Sequence, residues 1–196
     1  MLEETMSEAE QPTDDIRPIT RREYEQLVDL GWFADEKLEL LEGRLVRMSP
    51  QGPEHAEIVG TLTELLAVAV AGRARVRPQL PFALDELSEP EPDLAIVPLA
   101  SYRAAHPGRA LLVIEVADTA LRKDRRIKGR LYAAAGIPEY WVVDVVAHAI
   151  DVHTEPTAKG YEKAQRVTDG VIEIASLPGV TVDVSVVVGV VPDPHR

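Results

Sequence analysis

Residues 111–144 read LLVIEVADTALRKDRRIKGRLYAAAGIPEYWVVD, and the succession of patterns in that stretch decides the fold. LLVIEVA is a short, unbroken apolar run, the signature of a strand covered on both faces. A helix over Leu121–Ala135 follows, stopped by Gly136 with Pro138 beyond. EYWVVD then opens a second β-branched and aromatic run. Within the first strand, alternation puts Leu111, Val113 and Glu115 on one side and Leu112, Ile114 and Val116 on the other. Burying a carboxylate in such a row is costly unless it is paired or bound to a metal. The structural alternative is a strand-end glutamate that reaches solvent or an arginine. On the helical wheel Leu121, Asp124, Lys128, Leu131, Tyr132 and Ala135 form one face, with Lys123, Arg126 and Arg130 opposite. Lys128 is therefore an inward lysine, which needs a carboxylate partner or a chemical task. An internal pair with Asp124, four residues earlier, is the bland explanation.

Upstream, SEPEPDLAIVP at 88–98 gives a turn and a short buried strand that begins at Asp93. RVRPQLPFAL at 75–84 is extended, and its two prolines place it at a sheet edge or a bulge. Glu54–Ala71 is helical, with His55, Ile58, Val59, Leu62, Leu65, Leu66 and Ala69 on one face. His55 on that face either bonds a carboxylate or packs as a structural histidine. KLELLEGRLVRMSP at 37–50 alternates on both sides of Glu42-Gly43 and reads as a hairpin, with Glu39 pointing away from Leu38 and Leu40. TRRE at 20–23 resembles a capping box ahead of a helix over Arg21–Leu30. Residues 1–18 are acidic and proline-punctuated, the composition of a disordered tail, leaving one domain over 19–196. Downstream, AIDVHTE pairs with EYWVVDVV, GYEKAQRV adds a strand, and short strands separated by Gly170, Pro178-Gly179 and Gly189 close the chain. This order predicts an α/β protein of the mixed α+β kind, a central mixed β-sheet flanked by helices.

The net charge is −12, and the first 42 residues hold 13 acids against 4 bases. That balance disfavours simple nucleic-acid binding, which draws its affinity from lysines and arginines on phosphates. The stretch Arg122–Arg130, with six bases and one acid, offsets it locally, as a basic stripe or as a solvated helix face. No cysteine is present, which excludes disulfides, thiolate chemistry and sulfur-ligated zinc. The apolar runs are too short and too broken for a membrane span, and the first residues lack a signal-peptide pattern, so the expected location is the cytoplasm.

Asp93 and Glu115 supply the hard oxygen ligands that Mg2+ or Mn2+ takes. A nearby lysine can stabilise developing negative charge or orient a water. Two carboxylates and an ammonium make a minimal set for phosphodiester hydrolysis.

Three stretches, LELLEGRLVRMSPQGPEH at 38–55, PEPDLAIV at 90–97 and the 111–144 block, resemble the Uma2 family of restriction-endonuclease-like proteins, which look like members of the PD-(D/E)XK nuclease superfamily. The resemblance covers about residues 20–165. It implies a restriction-endonuclease-like fold, with Asp93 as the aspartate of the PD motif and Glu115 as the second metal-binding acid. Glu39 matches the acidic residue of the first hairpin and completes the implied metal set. His55 matches the histidine of the SPxGxxH stretch, and Gln79 a polar strand residue near the site. The family's lysine is not two residues after Glu115, where this sequence has Ala117, and it looks displaced to Lys128. Ala120 stands where many relatives have a serine.

The implied activity is a Mg2+- or Mn2+-dependent endonuclease acting on DNA, with homodimerisation bringing two sites and two basic stripes to one duplex. The apolar edge of the carboxy-terminal strands is the expected dimer surface. The alternatives are a non-catalytic nucleic-acid-binding or protein-partner module that retains the nuclease fold, and a phosphodiesterase acting on RNA or a nucleotide.

Overall fold

The structure is a computed structural model that describes residues 17–117 and 122–189, with backbone alone at 122–126. Residues 1–16 of the expected tail over 1–18, Ala120, the side chains of Lys123 and Arg126 and the Asp124–Lys128 pairing lie outside what is described. The elements are α1 (Arg21–Asp29), β1 (Leu38–Leu41), β2 (Arg44–Arg47), α2 (Pro53–Ala69), β3 (Ala74–Pro78), β4 (Leu94–Pro98) and β5 (Leu112–Ala117). They continue with α3 (Arg122–Ala134), β6 (Glu139–Asp144), β7 (Ala149–Thr157), β8 (Gly160–Val167), β9 (Val171–Glu173), β10 (Thr181–Asp183) and α4 (Val184–Val188).

Strands β3 to β8 form one six-stranded sheet in sequence order. Every pair in it is antiparallel except β5–β6. Parallel neighbours need a long crossover, and α3 supplies it. The proline-bearing strand β3 takes the edge, as its missing amide donors require.

Strand β5 is buried along its whole length. Leu112, Ile114 and Val116 pack under α2, through Ile58, Leu62 and Leu66, and against the carboxy-terminal segment. Val113 and Ala117 face the other way, toward Leu131 and Tyr132 of α3, Phe82 and Leu41. The apolar seam of α2 is narrower than its periodicity suggests. Leu65 is 39% exposed and Ala69 is exposed, because the helix meets the core along Ile58, Val59, Leu62 and Leu66, continued by Val70. On α3 likewise, Lys128, Leu131 and Tyr132 are buried as the wheel requires, while Ala135, just past the helix end, is exposed.

Helix α1 carries the reciprocal capping box of Thr20 and Glu23. Hairpin β1–β2 turns on Glu42 and Gly43, both at positive φ (50° and 73°), the geometry of a two-residue turn matched to strand twist. A Cβ on Gly43 would run into the Pro18 ring. Gly43→Ala is therefore expected to lower stability by about 1–3 kcal/mol, the range for a strained left-handed residue. A urea-unfolding midpoint equal to that of the parent would refute this packing of Pro18 on the turn.

The carboxy-terminal segment departs from its expected strand character. β9 and β10 pair as a separate hairpin, but VSVVV at 184–188 is helix α4. The Asp183 side chain caps it by accepting from the Ser185 N–H at 2.9 Å. Val184, Val187 and Val188 then share one buried helical face, and that burial overrides the β preference of valine. Ile172, Ile174 and Val182 also point into the core, while Val171 at the start of β9 stays 61% exposed. No described helix is long and apolar enough to cross a membrane.

Candidate active site

The site forms where β4 and β5 diverge. Their ladder ends at the Leu94↔Ile114 pair, and β5 continues to Ala117 without a partner on that side. A buried amide left without its ladder needs another acceptor. The Val116 N–H finds it in Asp93 Oδ2, at 2.8 Å. Asp93 thus sits at the end of β4 with its carboxylate fixed by the next strand, and it is 8% exposed. The same oxygen lies 3.1 Å from His55 Nε2, in the first turn of α2.

Glu115 lies on the α3 side of β5 and is 8% exposed, and among the described residues its ion-pair partner is a lysine. It accepts from the Tyr132 hydroxyl at 2.9 Å and pairs with Lys128 Nζ at 3.2 Å. The lysine also pairs with Glu39 Oε2 at 2.9 Å. Alternation in β1 explains Glu39: its neighbours Leu38 and Leu40 are turned away from it, leaving its carboxylate aimed at α3. Glu39 Oε2 also accepts from the Glu91 N–H at 3.1 Å.

The charges perturb one another strongly. Burial pushes the Glu115 carboxyl up to about 7, with Lys128 opposing and Asp93 and Glu39 reinforcing the rise. Burial alone would pull Lys128 down, but Glu115 and Glu39 outweigh it and hold the ammonium above the ordinary lysine range. Burial would likewise lower His55, yet its bond to Asp93 and the nearby carboxylates raise it. Glu91 is raised by burial and then by Glu39. The result is a desolvated cluster in which acids crowd one lysine.

Glu39, His55, Glu91, Asp93, Glu115 and Lys128 line a single open cavity of about 350 Å³. Five of the six residues singled out in the sequence therefore meet there. Gln79 does not line it. That residue follows β3 at φ +48°, and its main-chain N–H donates to the Asp93 carbonyl at 3.1 Å, so it braces the strand end through its backbone. Two further groups join the site: Glu91 lines the cavity and Tyr132 bonds Glu115. Glu91 precedes Asp93 by two residues, the extended-chain spacing that puts both on one side, and PEPD contained that signal. Tyr132 follows Lys128 by one helical turn on the face already identified as inward.

Among the described residues, no group of three or more His, Asp or Glu side chains is disposed to hold a metal ion by itself. The donor chemistry nevertheless fits a hard divalent cation. Mg2+ is commonly held by one or two carboxylates, with waters and substrate phosphates completing its shell. Asp93 and Glu115 are such a pair, both buried and both lining the cavity.

A crystal structure described as that of "a putative nuclease belonging to DUF820", from Anabaena variabilis, shares this architecture. The TM-score is 0.68 at 16% identity, covering 87% of this chain and 98% of that one, which establishes a common fold. No curated protein matches the chain. The Uma2 family model, described as "Putative restriction endonuclease", matches residues 21–185. That span contains the hairpin, both strands and the helix that build the cavity, and on that match the chain belongs to the Uma2 family.

Proposed function

We propose that this protein is a Mg2+- or Mn2+-dependent endonuclease that hydrolyses phosphodiester bonds in DNA, acting as a homodimer so that each strand meets one site. The observation behind this reading is the convergence of Asp93, Glu115, Glu39 and Lys128 from four separate elements into one open cavity. Asp93 and Glu115 would hold the ion, with Glu39 beside them. Bound there, it would polarise a phosphate oxygen and acidify a water.

The remaining work falls to the chain. Val116 N–H and His55 fix the Asp93 carboxylate, and the Tyr132 hydroxyl fixes that of Glu115. Lys128 stays an ammonium because Glu39 and Glu115 hold it so. Positioned beside both acids, it can donate to a phosphoryl oxygen as negative charge develops, the electrostatic role in which preorganised donors are most effective. Its low exposure keeps that charge from being screened by water.

A second reading, a non-catalytic nucleic-acid-binding or partner-binding module, draws support from the closed Glu39–Lys128–Glu115 ion-pair network. Supercoiled plasmid separates the two. The folded parent is expected to convert it to nicked or linear form with Mn2+ or Mg2+, and chelation by EDTA should stop the reaction. Intact plasmid with either ion, at protein concentrations that bind it, would transfer the argument to the second reading.

A further inference from the structure

The two edges of the large sheet are electrically different. Within β8 each cation has an acid: Lys163 pairs with Glu155 at 2.5 Å, and Arg166 with Asp151 at 2.7 Å and Asp144 at 3.1 Å. On α3, Arg130 is matched by Glu42 in the same way. At the β3 edge no such matching occurs. Arg73, just before β3, and Arg75 and Arg77 within it alternate along RARVRP at 73–78, and Arg103 and Arg109 stand in the connection between β4 and β5. None of these five has an ion pair among the described residues, whose paired cations lie elsewhere. Neither 71–84 nor 94–111 contains a single aspartate or glutamate, in a chain of net charge −12.

The fold gathers these arginines. Arg77 lies over the Tyr102 ring, 5.7 Å from its centroid, and its Nη2 donates to the Pro81 carbonyl at 3.3 Å. The connection is drawn back onto the preceding segment by the Ala83 N–H, which donates to the Pro107 carbonyl at 2.9 Å. Arg77 is thereby half-buried, while Arg75, Arg103 and Arg109 are exposed. Like charges brought together without countercharge oppose folding unless a polyanion covers them.

Register places this edge on the catalytic side. Arg77 is opposite Ala95 and Arg75 opposite Val97, while Ala95 in turn is opposite Val113. Directly paired residues share a face, and Ala95 lies two residues past Asp93 as Val113 lies two before Glu115. The arginines therefore project from the same face as the carboxylates, with Arg77 roughly 8 Å from Asp93 by strand spacing and rise.

We propose that the β3 edge and the β4–β5 connection form the docking track for a nucleic-acid sugar-phosphate backbone, with Arg75, Arg103 and Arg109 on successive phosphates leading to the cavity. The inference rests on the phosphodiester reading of the site and specifies how the substrate lies across it. The contacts are to phosphates, so they position the strand without reading its sequence.

Matched double charge reversals test it. Arg75→Glu/Arg103→Glu changes the β3 edge, and Lys159→Glu/Lys163→Glu makes the same change in net charge at the far edge. Binding of a fluorescein-labelled duplex DNA of random sequence is followed by anisotropy in EDTA, from about 50 to 200 mM salt. The β3-edge variant is expected to bind at least about tenfold more weakly, with the slope of log K against log salt shallower by about 2, since each phosphate contact contributes about 0.9. The far-edge variant should keep the parent slope. Equal losses in both variants, an unchanged slope in the first, or no measurable binding by the parent at the lowest salt would each overturn the proposal. A parent that cleaves plasmid while the β3-edge variant binds unchanged would refute the track and leave the nuclease reading intact. Binding through this edge without cleavage would do the reverse.

Discussion

Lys128→Met is expected to lose both turnover and stability, with the stability loss growing as pH rises from 5 to 8. Methionine preserves the aliphatic stem and its packing but removes the charge shared by Glu39 and Glu115. Taking away one partner from a buried ionic cluster typically destabilises by about 3–5 kcal/mol. Here the pH dependence identifies the cause. The Glu115 carboxyl is raised to about 7 in the fold, above its ordinary value of 4.5, so the folded state binds that proton more tightly than the unfolded chain does. Stability from this group is fully present below pH 4.5 and is lost as pH climbs through 7. Removing Lys128 removes the main influence holding the carboxyl down, so the loss extends to higher pH. Urea unfolding at pH 5 and pH 8 measures this directly. A deficit that is the same at both values would mean that the lysine acts through packing. Plasmid cleavage, measured where the variant is folded, should fall by at least about 10²-fold, the effect of deleting one preorganised donor.

Asp93→Asn should separate chemistry from folding more cleanly. The amide oxygen can still accept the Val116 N–H that Asp93 Oδ2 now takes at 2.8 Å, so the end of β4 keeps its tie to β5. What disappears is one negative charge facing Glu115 and one hard anionic ligand. Thermal stability at pH 8 should be equal or higher, because a like charge beside Glu115 has been relieved. Mn2+ affinity by calorimetry should fall at least about tenfold, since carboxylates are the oxygen ligands such ions select. Plasmid cleavage should fall by at least about 10²-fold. Unchanged Mn2+ affinity would remove Asp93 from the metal set, and with it the proposed mechanism.

Much of this architecture was legible in the residue pattern. The double-sided apolar run of β5, the stop at Gly136 and the β-branched run after Pro138 define a strand–helix–strand unit, and local rules suffice for each part. Lys128 could be identified as inward because helical periodicity is a property of the chain itself. Its partners could not. Sequence spacing offered Asp124, whereas the described partners come from β1 and β5, which the fold alone brings beside α3. Glu91 shows the same limit. Its spacing from Asp93 was visible, but its link to Glu39 depends on β1 passing beside the segment before β4. Gln79 shows the converse, since resemblance pointed to its side chain and the structure uses its main chain.

Strand and helix periods, turn glycines, edge prolines and the hard-oxygen chemistry of the acids were fixed by the sequence alone, because each depends on near neighbours in the chain. The tertiary structure decided which carboxylates share Lys128, that residues 184–188 coil into a helix, and that Arg77 of β3 lies over Tyr102 of the β4–β5 connection. Those outcomes depend on burial and electrostatics between segments remote in sequence, and low-dielectric contacts of that kind exist only once the sheet has assembled.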